Sequence, residues 1–371
     1  MVSFMSAYET IKKNILSNKY PFLEYQNLLS EHIKEKDKLN FDFENYIIVG
    51  IGGSSQGSKA VSHILNQKNI YYFDYLNARK VDQVLNSINH IDTGFIFISK
   101  SGSTSEVLTL YDYISEFVGD KFDKSKNFLA ITENNDAPLH KFATHSGFHC
   151  IKHNPNIGGR FSIFSHTSMI PISLFFNNYL DMFKGLESAV SDFLNKKPVS
   201  DDMSPIDIAL KKHDLILSGK KIDIILLYGD ELYEIGNWMK QLYAESLGKN
   251  GYGYLPVISQ MTQDQHSVLQ LYLDGPNDKF YEFYSANYQK SNNFIDLTLA
   301  NHKQAMLKTL ENESLPIVRT SDYFVDNEKS IGHQLGYFFT SSILETLLLA
   351  HMGGVDPFGQ DAVEKQKKYL K

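Results

Sequence analysis

The stretch GFIFISKSGSTSEVL, residues 94–108, carries a short apolar run into Ser99, Lys100, Ser101, Ser103, Thr104 and Ser105, gathered about Gly102. A plain turn uses one or two hydroxyl residues. Hydroxyls, an ammonium and the N–H groups of a starting helix are all donors, so their concentration here suits an oxyanion such as a phosphate monoester. A capping arrangement, with Ser103 at the N-cap and Glu106 three residues on, accounts for two of these residues and leaves the others unexplained.

VGIGGSSQGSKAV, residues 49–61, is a second glycine- and serine-rich turn from strand to helix. Gly50 and Gly52 open a dinucleotide fingerprint with Asp74 downstream for a ribose, but Ser55 stands where the third glycine belongs. Gly52 and Gly57 open a P-loop, but Ser58-Lys59 reverses the required order. A tight turn remains, or a backbone cradle for a sugar hydroxyl or phosphate with Ser54 at the helix start. Two such turns in one sheet place a small phosphorylated ligand across the carboxyl ends of the strands.

Arg160 follows a glycine pair in NIGGRFSIFS (156–165), which lets a guanidinium approach a ligand closely. Gln241 and Glu245 share a helix face in QLYAESLGK (241–249), where Glu245 and Lys249 also have the spacing of an exposed i,i+4 ion pair. His266 sits in a polar turn of TQDQHSVLQ (262–270), and PFGQDAVEKQKKYLK (357–371) reads as a Pro-led terminal helix with a basic end. His140, His145, His149, Cys150 and His153 crowd one region. His140 and His145 fall on different faces of a helix, the others on a following strand, and none matches a zinc spacing.

The elements that must hold these residues are legible as alternation. NYIIVG (45–50), NIYYFDY (69–75), GFIFIS (94–99) and NFLAIT (127–132) are apolar runs of strand length separated by helical segments, and FHCIKHN adds a fifth. FSHTSMIPISLFF then reads as a buried helix interrupted by Pro171. After a linker at LNKKPVSDDMSPID (194–207) the rhythm restarts with KIDIILLYG (221–229), a helix over LYEIGNWMKQLYAESLGK, then YGYLPVIS, KFYEFYS and LPIVRTSD. Strands alternating with helices imply doubly wound parallel sheets of the α/β class.

The 371 residues are long enough for two domains, and 42% apolar content places the chain among folded globular proteins. A net charge of −7 leaves no basic footprint for nucleic acid. Cys150 is the single cysteine, which excludes an internal disulfide and fits a reducing compartment. The start MVSFMSAYETIKK lacks a signal-peptide pattern and no apolar run has the length of a membrane span, so the expectation is a soluble cytoplasmic protein.

In this order along residues 50–367, GIGGS, ISKSGSTSE, GGRFS, QLYAESLGK, QHSVLQ and PFGQDAVEKQKK resemble blocks of the phosphoglucose isomerase (glucose-6-phosphate isomerase) family. The resemblance implies two sugar-isomerase (SIS) type α/β domains at 41–193 and 208–345, a helical segment at 1–40 and a helical tail at 346–371. It implies reversible interconversion of glucose 6-phosphate and fructose 6-phosphate through ring opening and a cis-enediolate. Carried over position by position, Ser99, Ser101 and Thr104 match residues that grip the phosphate, with Lys100 beside them. Gly53 and Ser54 match a loop contacting the sugar. Glu245 matches the base between C1 and C2, Arg160 beside Gly159 the cation facing the enediolate, and Gln241 a nearby substrate contact. His266 and Lys367 match the ring-opening pair, with Gln360 close to the phosphate end. No metal or cofactor is implied, and a homodimer is, with His266 reaching the neighbouring subunit's site. A dual-specificity glucose/mannose phosphate isomerase shares this fold and mechanism. A non-catalytic SIS-type sensor would keep the Ser/Thr loop without needing Glu245, Arg160, His266 and Lys367 together. A nicotinamide dehydrogenase is disfavoured by the missing third glycine.

Overall fold

Strands buried on both faces read as unbroken apolar runs, because neither side of the pleat meets water. The computed structural model, which describes residues 2–119, 122–133, 136–196, 204–286, 293–322, 329–367 and 369, places the expected runs as strands and buries the central ones of each sheet on both faces. The chain divides into two compact units, one of Glu24–Leu180 and one of Met1–Leu23 with Asp181–Lys371.

The Glu24–Leu180 unit is built on β1 (Asn45–Val49), β2 (Ile70–Phe73), β3 (Thr93–Ile98), β4 (Phe128–Thr132) and β5 (His149–Lys152). All pair in parallel, in the order β2-β1-β3-β4-β5. Period-two alternation sends Ile47, Val49, Phe95 and Phe97 into one core and Ile48, Ile96, Ile98 and Ile131 into another across the sheet. Each such side chain, taken fully out of water, contributes roughly 1.5–3 kcal/mol. β1 has β2 on one side and β3 on the other, so the order in which strands are added reverses between β1 and β3. The loops leaving β1 and β3 therefore flank a topological switch point, the place where open α/β sheets take ligands. The helix His166–Phe175 runs straight through Pro171, whereas an interruption was expected there. Proline removes one N–H, and complete burial of the surrounding Met169, Ile170 and Ile172 outweighs that loss.

The second unit carries β6 (Ile222–Tyr228), β7 (Leu255–Met261), β8 (Lys279–Ser285) and β9 (Ile317–Asp322), parallel in the order β7-β6-β8-β9. The N-terminal helix Phe4–Leu16 belongs to this unit, while the helix Tyr25–Lys36 belongs to the other. The helix Asp181–Leu194, expected to close the first domain, is grouped here because it lies backbone to backbone against the helix Ile331–Gly353. A Cβ on Gly185 would stand 2.1 Å from the His333 carbonyl oxygen, and one on Gly336 would stand 2.0 Å from that of Met182. Of the expected linker, residues 197–203 lie outside the described residues, and Ser204 caps the next helix, Pro205–Leu217, in a reciprocal capping box with Asp207. Helix Ile331–Gly353 passes through residue 346 without a break, so the expected tail boundary falls inside it. Among the described residues no helix is long and apolar enough to cross a membrane.

Candidate active site

At the end of β3 the chain turns sharply about Gly102, whose φ of +65° suits glycine. A side chain there would also meet Ala137 Cβ and Thr132 Oγ1 at 2.8 Å. Ser99, 1% exposed, accepts the Gly102 N–H at Oγ (3.1 Å) and shares a 2.8 Å bond with Thr104 Oγ1. Ser101 and Ser103 face solvent, Ser103 Oγ donating to Ser101 Oγ at 3.0 Å. The helix begins at Ser105, one residue later than a Ser103 cap requires. Thr104 takes the N-cap position, and no side chain caps the helix. Glu106 bonds Ser105 Oγ at 3.0 Å in place of the expected capping box. The first-turn N–H groups thus end beside hydroxyls, which is the make-up of an anion site. Lys100 turns elsewhere: its Nζ donates to the Pro155 carbonyl at 2.7 Å and lies 3.8 Å from Glu133 Oε1.

The loop leaving β1 meets the Arg160 segment inside the same unit. A Cβ on Gly53 would sit 2.2 Å from the Gly159 carbonyl carbon, so the two backbones touch because Gly53 has no side chain. Ser162 Oγ, buried, stands 3.0 Å from the Gly53 oxygen and 2.7 Å from the Gly159 oxygen, tying the two loops together. Ser162 escaped the sequence reading, although its place two residues after the arginine of GGRFS was the available signal. Arg160 is 4% exposed, with its guanidinium 5.3 Å from the Phe161 ring centre. Ser54 is half-buried beside them. Asp74, which resembled a ribose-binding acid, pairs with Lys59 Nζ at 2.8 Å.

In the other unit, helix Tyr233–Leu247 sets Gln241 and Glu245 one turn apart, and Gln241 Nε2 donates to Glu245 Oε1 at 3.1 Å. Lys249 lies past the helix end, and its Nζ donates to the Asp356 carbonyl, so the i,i+4 helical pair with Glu245 has no helix to stand on. His266 is exposed on the short turn Gln263–His266 after β7. The terminal helix starts at Asp361, not at Pro357, because Asp356 accepts the Phe358 and Gly359 N–H groups (3.1 and 2.9 Å) in a turn first. Gln360 precedes that helix and is exposed. Lys367 closes it, its side chain lying outside the described residues. The structure thus groups Ser99 with Thr104, Gly53 with Gly159 and Arg160, and Gln241 with Glu245. His266 stands on the turn after β7, and Gln360 and Lys367 at the two ends of the terminal helix.

The histidine-rich region splits as its spacing implied, with His140 and His145 on helix Pro138–Ser146 and His149 and Cys150 on β5. Among the described residues no group of three or more His, Cys, Asp or Glu could hold a metal ion. Burial lowers His153 to about 4, against the pull of its Ile157 carbonyl bond, and raises the Cys150 thiol to about 11.

Residues 36–307 match the phosphoglucose isomerase family. A probable glucose-6-phosphate isomerase of Methanococcus maripaludis is 30% identical over 97% of this chain and 85% of its own length. The glucose-6-phosphate isomerase of Campylobacter jejuni is 33% identical over 65% of this chain and 60% of its own. Among solved structures, a hypothetical protein of Thermus thermophilus superposes with a TM-score of 0.79 at 20% identity, covering 98% of this chain and 93% of that one. A glucose-6-phosphate isomerase of Chlamydia trachomatis gives 0.70 at 19% identity, covering 94% and 72%. With both parallel sheets in place, the family match spanning most of the chain and a relative at this identity aligned nearly end to end, the chain belongs to the phosphoglucose isomerase family.

Proposed function

We propose that this protein interconverts glucose 6-phosphate and fructose 6-phosphate, and that the residues singled out above divide the work. The observation that carries the reading is the phosphoglucose isomerase match over residues 36–307. Ser99, Ser101 and Thr104, with the helix start at Ser105, take the phosphate, while Gly53, Ser54 and Gly159 bring backbone to the sugar. Lys100 is a peripheral member of this group, its ammonium being engaged by the Pro155 carbonyl. The phosphate is remote from the reacting carbons, so its binding free energy serves orientation.

Sugar phosphates are mostly cyclic, so ring opening comes first. His266, with Lys367, moves the proton from the C1 hydroxyl to the ring oxygen as the C1–O bond breaks and the carbonyl forms. Glu245 then removes the C2 proton, the C1 oxygen taking up the electron pair as an enediolate, and returns a proton to C1 while the O2 proton passes to O1 and the C2 carbonyl forms. Arg160 faces that developing negative charge. Gln241 donates to Glu245 and orients the carboxylate. Gln360 closes the phosphate end. The reading includes a homodimer in which His266 serves the neighbouring subunit, and a cytoplasmic location that suits the single cysteine.

The test is turnover of fructose 6-phosphate by purified protein, followed as glucose 6-phosphate through a coupled dehydrogenase. Glu245→Gln is expected to abolish product while leaving affinity for a sugar phosphate nearly intact. Full activity in that variant would remove the base assignment, and an inert wild type that still binds sugar phosphate would leave a sensor.

A further inference from the structure

His266 stands on a turn of four residues, Gln263–His266, between the end of β7 at Met261 and the helix Leu269–Asp274. The imidazole is exposed, so its aim depends on what holds that turn. Asp264 holds it at both ends. Its Oδ2 accepts the Gln260 N–H at 2.8 Å and its Oδ1 accepts the Ser267 hydroxyl at 3.0 Å. Its carbonyl accepts the N–H groups of Val268 (3.0 Å) and Ser267 (3.3 Å). The anchor is held on one side: Gln260 and Met261 lie on β7, the edge strand, and pair in register with Leu227 and Tyr228 of β6. One carboxylate therefore spans from a fixed strand end to the residue directly after His266.

We propose that Asp264 is the positioning residue for His266, fixing the turn so that the imidazole is delivered for ring opening. The proposal rests on the ring-opening role given to His266 above. A carboxylate is suited to this work because both oxygens accept, and charge-assisted bonds to an N–H and an O–H are stronger than neutral ones. An amide keeps one acceptor and presents two N–H groups where the Gln260 N–H already points. Removal of the side chain leaves the Gln260 N–H and the Ser267 hydroxyl without this acceptor and lets the turn relax, and displacements of about 1 Å at a catalytic group lower rates by up to about a hundredfold.

The experiment compares wild type, Asp264→Ala and Asp264→Asn in three measurements. These are isomerisation of fructose 6-phosphate, enzyme-catalysed exchange of the α and β anomers of glucose 6-phosphate by NMR, and affinity for a five-carbon aldonate 5-phosphate, which has no ring to open. In Asp264→Ala, isomerisation and anomer exchange are expected to fall together by about tenfold to a hundredfold. Affinity for the aldonate is expected to stay within about twofold, because binding of an open chain needs no delivered proton. Asp264→Asn is expected to show the same pattern at smaller amplitude, and carries the test should the alanine variant not fold. Anomer exchange unchanged while isomerisation falls, both rates unchanged, or aldonate affinity falling in step with turnover would each overturn the proposal. A wild type that performs neither reaction would remove the isomerase reading, and this assignment with it.

Discussion

Ser99 and Thr104 hold one another at 2.8 Å at the end of β3, and an arriving phosphate would exchange that neutral bond for charge-assisted ones. A hydrogen bond to a charged group contributes about 1.5–3 kcal/mol. Thr104→Ala is therefore expected to raise KM for fructose 6-phosphate by roughly tenfold or more while changing kcat by less than about threefold. Steady-state kinetics on the sugar phosphate check this, and an unchanged KM would contradict the phosphate loop. At this scale the sequence was read correctly where residue type and local spacing carry the information, as with Gln241 and Glu245 one turn apart. It is silent where a side chain has a choice of partners. Lys100 stands among the hydroxyls in sequence, yet the Pro155 carbonyl lies 55 residues on and takes its ammonium. The Ser103 cap failed because the turn about Gly102 starts the helix one residue late.

Between elements, the second sheet buries a charge cluster that no local pattern announces. Lys212, on helix Pro205–Leu217, is fully buried, and its Nζ lies 2.5 Å from Glu282 Oε1 on β8, 2.8 Å from Glu345 Oε1 on helix Ile331–Gly353 and 3.5 Å from Asp223 Oδ2 on β6. Arg319 of β9 adds a 2.6 Å bond from Nε to Glu282 Oε2 and a second to Glu345. Burial opposes the Glu282 charge, but Lys212 and Arg319 outweigh it and hold the carboxyl at about 2. Burial and the neighbouring Glu282 push the Asp223 carboxyl well above its ordinary value, which favours its protonated form. Breaking the cluster on one side strands buried charge: Lys212→Met is expected to cost about 3–5 kcal/mol in urea unfolding. Asp223→Asn mimics the protonated acid. A carboxyl raised in the folded chain above its unfolded value of about 4 holds its proton more tightly when folded, so this group's contribution to stability falls as pH rises from about 4. Asp223→Asn is thus expected to match or exceed wild-type stability at pH 8, and a large loss there would show Asp223 to be ionised. The sequence placed Glu282 in a strand and went no further, because the five partners come from five elements.

At the scale of the molecule, the nine strands among the described residues were legible as apolar runs, most plainly β1, β3, β4, β6 and β8, because burial on both faces turns a parallel strand into such a run. The allegiance of helix Asp181–Leu194 was not, since its contact with Ile331–Gly353 depends on two glycines, Gly185 and Gly336, that lie far apart in sequence. Acid stability is set by buried histidines. Burial first, then the positive charges of His166 and Lys36, lowers His32 to about 3, and His153 lies at about 4. Both stay neutral in the folded chain while the unfolded chain protonates below about pH 6.5, so stability is full above that pH and falls as pH drops towards 4. The expected slope is about 1.4 kcal/mol per pH unit for each histidine. Urea unfolding between pH 7 and 5 checks it, and His32→Gln is expected to flatten the slope. The central claim is proton transfer through an enediolate at C1 and C2, and isomerisation of fructose 6-phosphate in D2O tests it most directly. The account predicts deuterium at C2 of the glucose 6-phosphate formed, with all incorporation lost in Glu245→Gln. Full turnover with no deuterium at C2 would mean a hydride shift and would contradict it.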